Sequence, residues 1–415
     1  MKENNTLQTR FSNLELSDII LTGLTEAGFI HCTPIQDKSL PLSLRGKDIV
    51  GKAQTGTGKT AAFLLATFQH LINDESEKIK NPRAIILAPT RELAIQIHKD
   101  ALLLSKYLNL KFALIYGGTD YQKQLDSFKN NIDIIIGTPG RIIDFYKQRI
   151  FPLDNIQVMV LDEADRMFDL GFVDDIRFLL RRMPPPEKRL NLLFSATLSY
   201  KVTELAYEHM NQAVKVEIET EEVTSTSIKQ TAFCPANDQK IPLLLGVLKQ
   251  HQPQRAIIFV NTKKCAEQLY DYLNANGYKT GVLSGDVAQE KRQRLLADFQ
   301  NNKLTLMIAT DVAARGLHIA DVSHVINYDL PQEAEDYVHR IGRTARFGAK
   351  GEAISFICED YAYSMPDIET YIAQKIPVLP IEADWLIEAI KPEKRLHKPH
   401  HPHAKRPLHT AKKPR

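Results

Sequence analysis

Short runs of consecutive apolar residues, rich in Ile, Val and Leu, alternate along this chain with longer segments whose apolar positions recur at helical spacing. In the first half the runs are residues 48–53 (DIVGKA), 84–89 (AIILAP), 112–118 (FALIYGG), 132–138 (IDIIIGT), 158–163 (VMVLDE) and 191–197 (NLLFSAT). In the second half they are 256–262 (AIIFVNT), 280–286 (TGVLSGD), 305–311 (TLMIATD), 324–330 (HVINYDL) and 353–358 (AISFIC). A run that is apolar at every position, rather than at every other one, predicts a strand buried on both faces. Such strands belong to a parallel sheet covered by helices, with right-handed crossovers. The pattern therefore predicts an α/β fold made of two tandem domains, each a mostly parallel sheet flanked by helices. A polar, Ser/Thr-rich stretch at 217–227 (EIETEEVTSTS) interrupts it. The predicted organisation is a first domain over 1–217, a linker over 218–227, a second domain over 228–390 and a tail over 391–415.

Charge changes the picture at the end of the chain. Nine Lys and Arg residues against one acid give 391–415 a charge of +8, which leaves −5 on the remainder of a chain whose net charge is +3. A mildly acidic body with a basic arm points to a polyanionic partner. The arm is rich in Pro and His and cannot bury a core, so it is expected to be disordered. Its five histidines (His397, His400, His401, His403 and His409) have no rigid scaffold to orient them as ligands. No apolar run reaches the roughly 18 residues of a membrane span. The opening MKENNTLQTRF lacks the apolar stretch of a secretory signal. The four cysteines are scattered with none at CxxC spacing, which supports neither a zinc site nor a disulfide framework. The expectation is a cytoplasmic protein that uses no membrane, and a monomer.

Two segments carry chemistry. Residues 53–60 (AQTGTGKT) follow a predicted strand and open an apolar helix. Glycines at 56 and 58 let the backbone curl so that amides point inward at phosphate oxygens, and the helix N-terminus adds a favourable dipole. In this phosphate-binding loop of Ala53, Gln54, Thr55, Gly56, Thr57, Gly58, Lys59 and Thr60, the lysine reaches the β and γ phosphates and Thr60 offers a hydroxyl to Mg²⁺. Asp162 and Glu163 end the strand VMVL, at the edge where open α/β sheets bind ligands. Asp162 is suited to hold Mg²⁺ through water and Glu163 to orient and activate the attacking water.

At residues 162–165 the chain spells Asp-Glu-Ala-Asp, and further motifs follow in order, so residues 11–375 resemble the DEAD-box family of ATP-dependent RNA helicases. The resemblance implies two RecA-like domains, with ATP and Mg²⁺ as cofactors and RNA as partner. It implies that Phe11 and residues 28–36 (GFIHCTPIQ) recognise adenine, with Gln36 bonding the base edge and Phe29 packing on the ring. It assigns first-domain RNA contacts to Pro89, Thr90, Arg91, Gly117, Gly118, Thr138, Pro139, Gly140 and Arg141, and second-domain contacts to Thr262, Gly285, Asp286, Arg292 and Thr310. Coupling between nucleotide state and strand separation falls to Ser195, Thr197, Asp165, Asp311, Arg315, His339 and Arg340. Arg343 and Arg346 are the implied arginine fingers; three residues apart, they would share a face of a helix.

Two positions depart from that family. His318 stands where an Asp is usual, near the expected ribose contact, and Ala345 replaces a Gly between the two arginines. Helical geometry at 345 would suit Ala; positive φ would strain it. The implied cycle is a clamp in which ATP and RNA jointly close the two domains, unwind a short duplex locally and reopen after hydrolysis. The alternative is an ATP-gated RNA clamp with weak intrinsic turnover that depends on a partner. The branch of the family with the most similar motifs implies work in RNA decay beside an RNase E-like endoribonuclease scaffold. The segment 381–390 (IEADWLIEAI), with the only Trp, is a candidate docking helix.

Overall fold

The computed structural model describes residues 9–53, 56–73, 81–118, 121–218, 227–285, 287–314, 322–345 and 350–392. The first half holds seven strands: β1 (Ile49–Lys52), β2 (Ala84–Leu87), β3 (Phe112–Ile115), β4 (Ile134–Gly137), β5 (Val158–Leu161), β6 (Leu190–Ser195) and β7 (Val214–Glu217). Their order in the sheet is β3-β4-β2-β5-β6-β1-β7, and every pairing is parallel. The second half holds six: β8 (Ile228–Phe233), β9 (Ala256–Phe259), β10 (Thr280–Leu283), β11 (Leu306–Ala309), β12 (His324–Asn327) and β13 (Gly351–Phe356). They are ordered β10-β11-β9-β12-β13-β8, again all parallel.

The physical reason for the apolar runs is plain in the packing. Ile134 and Ile136 point into one core layer and Ile135 into the layer on the other face, and all three are fully buried. The helix Lys59–Asn73 after β1 buries most of its circumference, Phe63, Leu64, Leu65 and Phe68 included. An all-round apolar helix is a core helix, and this one fixes the end of the candidate phosphate loop.

β7 and β8 are not among the predicted strands. They flank the polar stretch, and their sequences, VKVE and IKQTAF, mix exposed and buried positions.

The candidate docking helix at 381–390 is not a helix. It contains one 3-10 turn, Ala383–Trp385, and runs as a strap across the helix Lys240–His251. Its backbone bonds elsewhere: Ile387 N–H donates to the Pro242 carbonyl at 3.2 Å. The carbonyl of Trp385 lies so close to Gly246 that a Cβ there would sit 1.9 Å from it. Trp385 packs on Phe233 with ring centroids 5.3 Å apart, so the only tryptophan belongs to the protein's own core. Upstream, Leu379 N–H donates to Ala232 and Ala232 N–H to Pro377, which covers the outer edge of β8 and removes it as a pairing site.

Candidate ATP site and interlobe cleft

The carboxyl ends of β1, β5 and β6 converge. Ala53 follows β1 and donates its N–H to the Ser195 carbonyl at 3.0 Å, and the loop returns through Gly56 and Gly58, both at positive φ, into Lys59. Gln54 and Thr55 lie outside the described residues, as do Asp286, Arg315, His318, Arg346, most of the linker and the tail from 393. Lys59 is buried and donates to the Ala53 carbonyl at 2.9 Å, so its ammonium is held over the loop. Thr57 and Thr60 are half-buried beside it. The adenine segment touches the same loop: Gln36 donates from Nε2 to the Gly58 carbonyl at 3.0 Å and accepts from the Thr33 amide at 2.8 Å. A Cβ at Gly58 would lie 2.5 Å from Gln36 Nε2, so only glycine permits this approach. Phe29 is exposed nearby. Phe11 is placed differently from an open ring contact: it is buried in the core and its N–H bonds the Ile30 carbonyl, so it supports the segment from beneath.

Asp162 is buried just beyond β5, and burial pushes its carboxyl up to about 6, with the Lys59 ammonium opposing and the Glu163 carboxylate adding to the shift. A cation at this carboxylate offsets the desolvation that raises it, so the donor set of a buried Asp, a facing Lys and the Thr60 hydroxyl suits Mg²⁺-nucleotide. Glu163 is the N-cap of the short helix Ala164–Asp169 and sits at φ 51°, the left-handed region that non-glycine residues rarely adopt. Such strain costs about 1–3 kcal/mol and persists where the surroundings fix a functional geometry. Asp165 is gripped by the loop after β6: its Oδ2 accepts from the amides of Ala196 (3.1 Å) and Thr197 (2.9 Å) and from the Thr197 hydroxyl (3.2 Å). Ser195 adds to this grip, its hydroxyl accepting from the Asp165 amide at 3.1 Å.

The second half faces this surface. A cleft of about 970 Å³ is lined on one side by Glu163, Asp165 and Thr197 and on the other by Glu335, His339 and Arg343. Arg343 does not lie on a helix; the helix Ala334–Ile341 ends before it, and its amide bonds the Arg340 carbonyl in the following turn. Ala345 has φ 55°, so the strained alternative holds there. Arg340, 1% exposed, grips Asp311 with two nitrogens at 2.6 Å and also bonds Asn261 Oδ1 and the Asp329 carbonyl.

Behind it lies a pair that the motif analysis missed: Lys240 meets Asp329 at 2.5 Å, both nearly inaccessible, and Asp329 also accepts from the Asn261 amide at 2.9 Å. Asp329 follows an apolar strand just as Asp162 does, which is the signal that would have found it. Lys240→Ala would leave Asp329 buried without its cation. The expected cost is about 3–5 kcal/mol, measured as a lower denaturation midpoint for the second half; an unchanged midpoint would refute the pairing.

The RNA-contact candidates gather at loops and helix starts. Pro89 is buried, Thr90 caps the helix Arg91–Leu104 by accepting from the Leu93 amide, and Thr262 likewise caps Lys263–Ala275. Arg91 lies against Gly117 and Gly118; a Cβ at Gly118, itself at φ +80°, would fall 2.2 Å from Arg91 Nη1. Thr138, Pro139 and Gly140 begin the helix Pro139–Lys147, where Arg141 reaches over the Tyr121 and Phe145 rings. Gly285 is exposed and Thr310 buried at the mouths of β10 and β11. Arg292 does not face an open groove. It forms an ion pair at 2.7 Å with Glu92 of the other half, while Gln289 joins Glu92 at 3.2 Å and Arg91 at 3.5 Å. Glu92 and Gln289 are thus interlobe contacts.

A DEAD/DEAH box helicase profile matches residues 33–205, and a helicase conserved C-terminal domain profile matches 239–348. The ATP-dependent RNA helicase RhlB of Pasteurella multocida is 56% identical over 393 residues, covering 94% of this chain and 93% of that one. The chain belongs to the DEAD-box RNA helicase family. RhlB of Shewanella sp. (strain ANA-3) is 54% identical over 403 residues, with 96% and 92% covered. Among solved structures, S. cerevisiae Dbp5 bound to RNA and ADP BeF3 superposes with a TM-score of 0.79 at 34% identity, covering 89% of this chain and 95% of that one. As a DEAD-box RNA helicase the protein hydrolyses ATP, and its two parallel-sheet lobes are those of the family. Among the described residues no helix is long and apolar enough to cross a membrane.

Proposed function

We propose that this DEAD-box helicase unwinds short RNA duplexes locally, closing two lobes (1–217 and 228–390) around ATP and one RNA strand. The observation that carries the reading is the shared cleft: Glu163 and Asp165 from the first lobe face His339 and Arg343 from the second. Neither lobe holds the complete set, so hydrolysis depends on closure. Lys59, Thr60 and Asp162 would hold Mg²⁺-ATP, and the metal would neutralise charge developing on the phosphates. Gln36 and Phe29 would bind the base. The loop glycines and the residues Arg91, Arg141, Thr262 and Arg292 would hold the sugar-phosphate backbone, which carries RNA identity through its 2′-hydroxyls rather than its sequence. Asp165, held by Thr197, would transmit the nucleotide state to the loop after β6, and the Asp311–Arg340 pair would do so in the second lobe.

The relatives are ATP-dependent RNA helicases named RhlB, and for this chain the proposal extends to RNA decay in the cytoplasm, beside an RNase E-like endoribonuclease scaffold, as a monomer. The test is ATP hydrolysis by the isolated chain with no nucleic acid, with single-stranded RNA and with single-stranded DNA, each with and without Mg²⁺. Stimulation by RNA alone, dependent on Mg²⁺, is expected. Equal stimulation by DNA would overturn the RNA reading, and no stimulation by either would favour a partner-dependent clamp over a motor.

A further inference from the structure

The amino ends of the strands in the second lobe, opposite the edge that carries the ATP cleft, hold a cluster that the helicase reaction does not use. His324 begins β12 and Glu352 is its register neighbour on β13. His251 closes the helix Lys240–His251 above them. His251 Nδ1 lies 3.2 Å and His324 Nε2 3.8 Å from the same carboxylate oxygen of Glu352, and the three donor atoms all fall within 4.8 Å of one another. We propose that His251, His324 and Glu352 form a binding site for a divalent transition-metal ion of the zinc class.

Hydrogen bonding fixes the relevant tautomer. The Ser323 hydroxyl donates its single proton to the Arg255 carbonyl at 2.8 Å. Toward His324 Nδ1, 3.0 Å away, it can therefore only accept, which places the imidazole proton on Nδ1. The Nε2 atom then presents a lone pair to a carboxylate. A cation between these two electron-rich atoms would satisfy both in their half-buried setting. The Ser323–Arg255 chain supplies the outer support that orients a ligating histidine.

The donor set selects the class of ion. Two imidazoles and one carboxylate suit zinc and its neighbours and disfavour the all-oxygen preferences of Mg²⁺ and Ca²⁺. Ligand atoms about 2.1 Å from zinc stand roughly 3.4 Å apart in a tetrahedron. The two His–Glu352 distances bracket that value, and the third, between the two imidazole nitrogens, lies within 4.8 Å, so that small rotations of the rings close it. Water would take the fourth position. The Trp385 ring meets His251 edge-on, with centroids 6.1 Å apart, so a bound ion would also pin the strap that ends where the basic tail begins.

Zinc titrated into the full chain at pH 7.5 in competition with a chromophoric chelator tests the site. The wild type is expected to bind one equivalent more than His324→Gln or Glu352→Gln. Any zinc held by the tail histidines is common to all three proteins and cancels. Zinc is also expected to raise the wild-type thermal midpoint by about 2–4 °C and to leave those of the variants unmoved. Equal stoichiometry in all three, or equal shifts, would overturn the proposal and assign any binding to the tail. Glu352→Gln, on a partly exposed side chain, keeps the comparison decisive if His324→Gln fails to fold.

Discussion

Arg343→Ala is expected to lower RNA-stimulated ATP turnover by about 10³-fold or more, the scale of a lost arginine finger, with little change in nucleotide affinity. The expectation rests on where the side chain sits. Arg343 is buried on the second-lobe wall of the cleft, facing the first-lobe carboxylates across it, while Lys59 and the phosphate loop belong wholly to the first lobe. A group that meets the phosphates only when the lobes are closed acts on the transition state and contributes little to initial binding, so its loss falls on kcat. The measurement is single-turnover hydrolysis beside equilibrium binding of a fluorescent nucleotide. A large loss of affinity with modest loss of rate would make Arg343 a ground-state contact.

The second large effect is expected at Glu163. Glu163→Gln keeps the size and hydrogen-bonding reach of the side chain but cannot take a proton. Turnover should fall by about 10²–10⁴-fold, the usual contribution of a positioned general base. ATP binding should persist, and RNA should be released slowly, since in the proposed cycle hydrolysis reopens the clamp. The backbone supports the assignment: the protein maintains a non-glycine residue at φ 51° here, immediately after Asp162, whose carboxylate accepts the Glu163 amide at 2.9 Å. Retained turnover with RNA would remove Glu163 from the reaction, and loss of ATP binding would make it part of the nucleotide pocket instead.

Much of this was legible in the sequence for physical reasons that can be named. Strands buried on both faces are apolar at every position, so β2, β4, β5 and β9 could be read directly, and the chemistry falls at their carboxyl ends because parallel sheets place it there. β7 and β8 were hidden because partly exposed strands carry polar residues. Residues 381–390 have helical spacing and good helix formers, yet Ile387 spends its amide on Pro242 and the Trp385 carbonyl lies against Gly246. Backbone groups committed elsewhere cannot build a helix, and nothing local announces that commitment. The shared helical face expected of Arg343 and Arg346 fails for a similar reason: the helix stops at Ile341 and the chain turns to a positive φ at Ala345. Contacts between lobes, such as Glu92 with Arg292, depend on which loops meet, and spacing along one chain does not encode that.

That last pair changes how RNA capture should be pictured. Arg91 and Arg292 are not bare cations waiting in a groove; Arg292 is paired with Glu92, Arg91 is bonded to Gln289, and the four side chains already join the lobes. If Arg292 takes an RNA phosphate as proposed, that phosphate would displace a resident carboxylate, and docking there would be an anion exchange in which Glu92 is the leaving partner. The net gain at Arg292 would then be the difference between two ion pairs. Grip on the strand at that point would then be weak enough to let go after every round of hydrolysis in the proposed cycle.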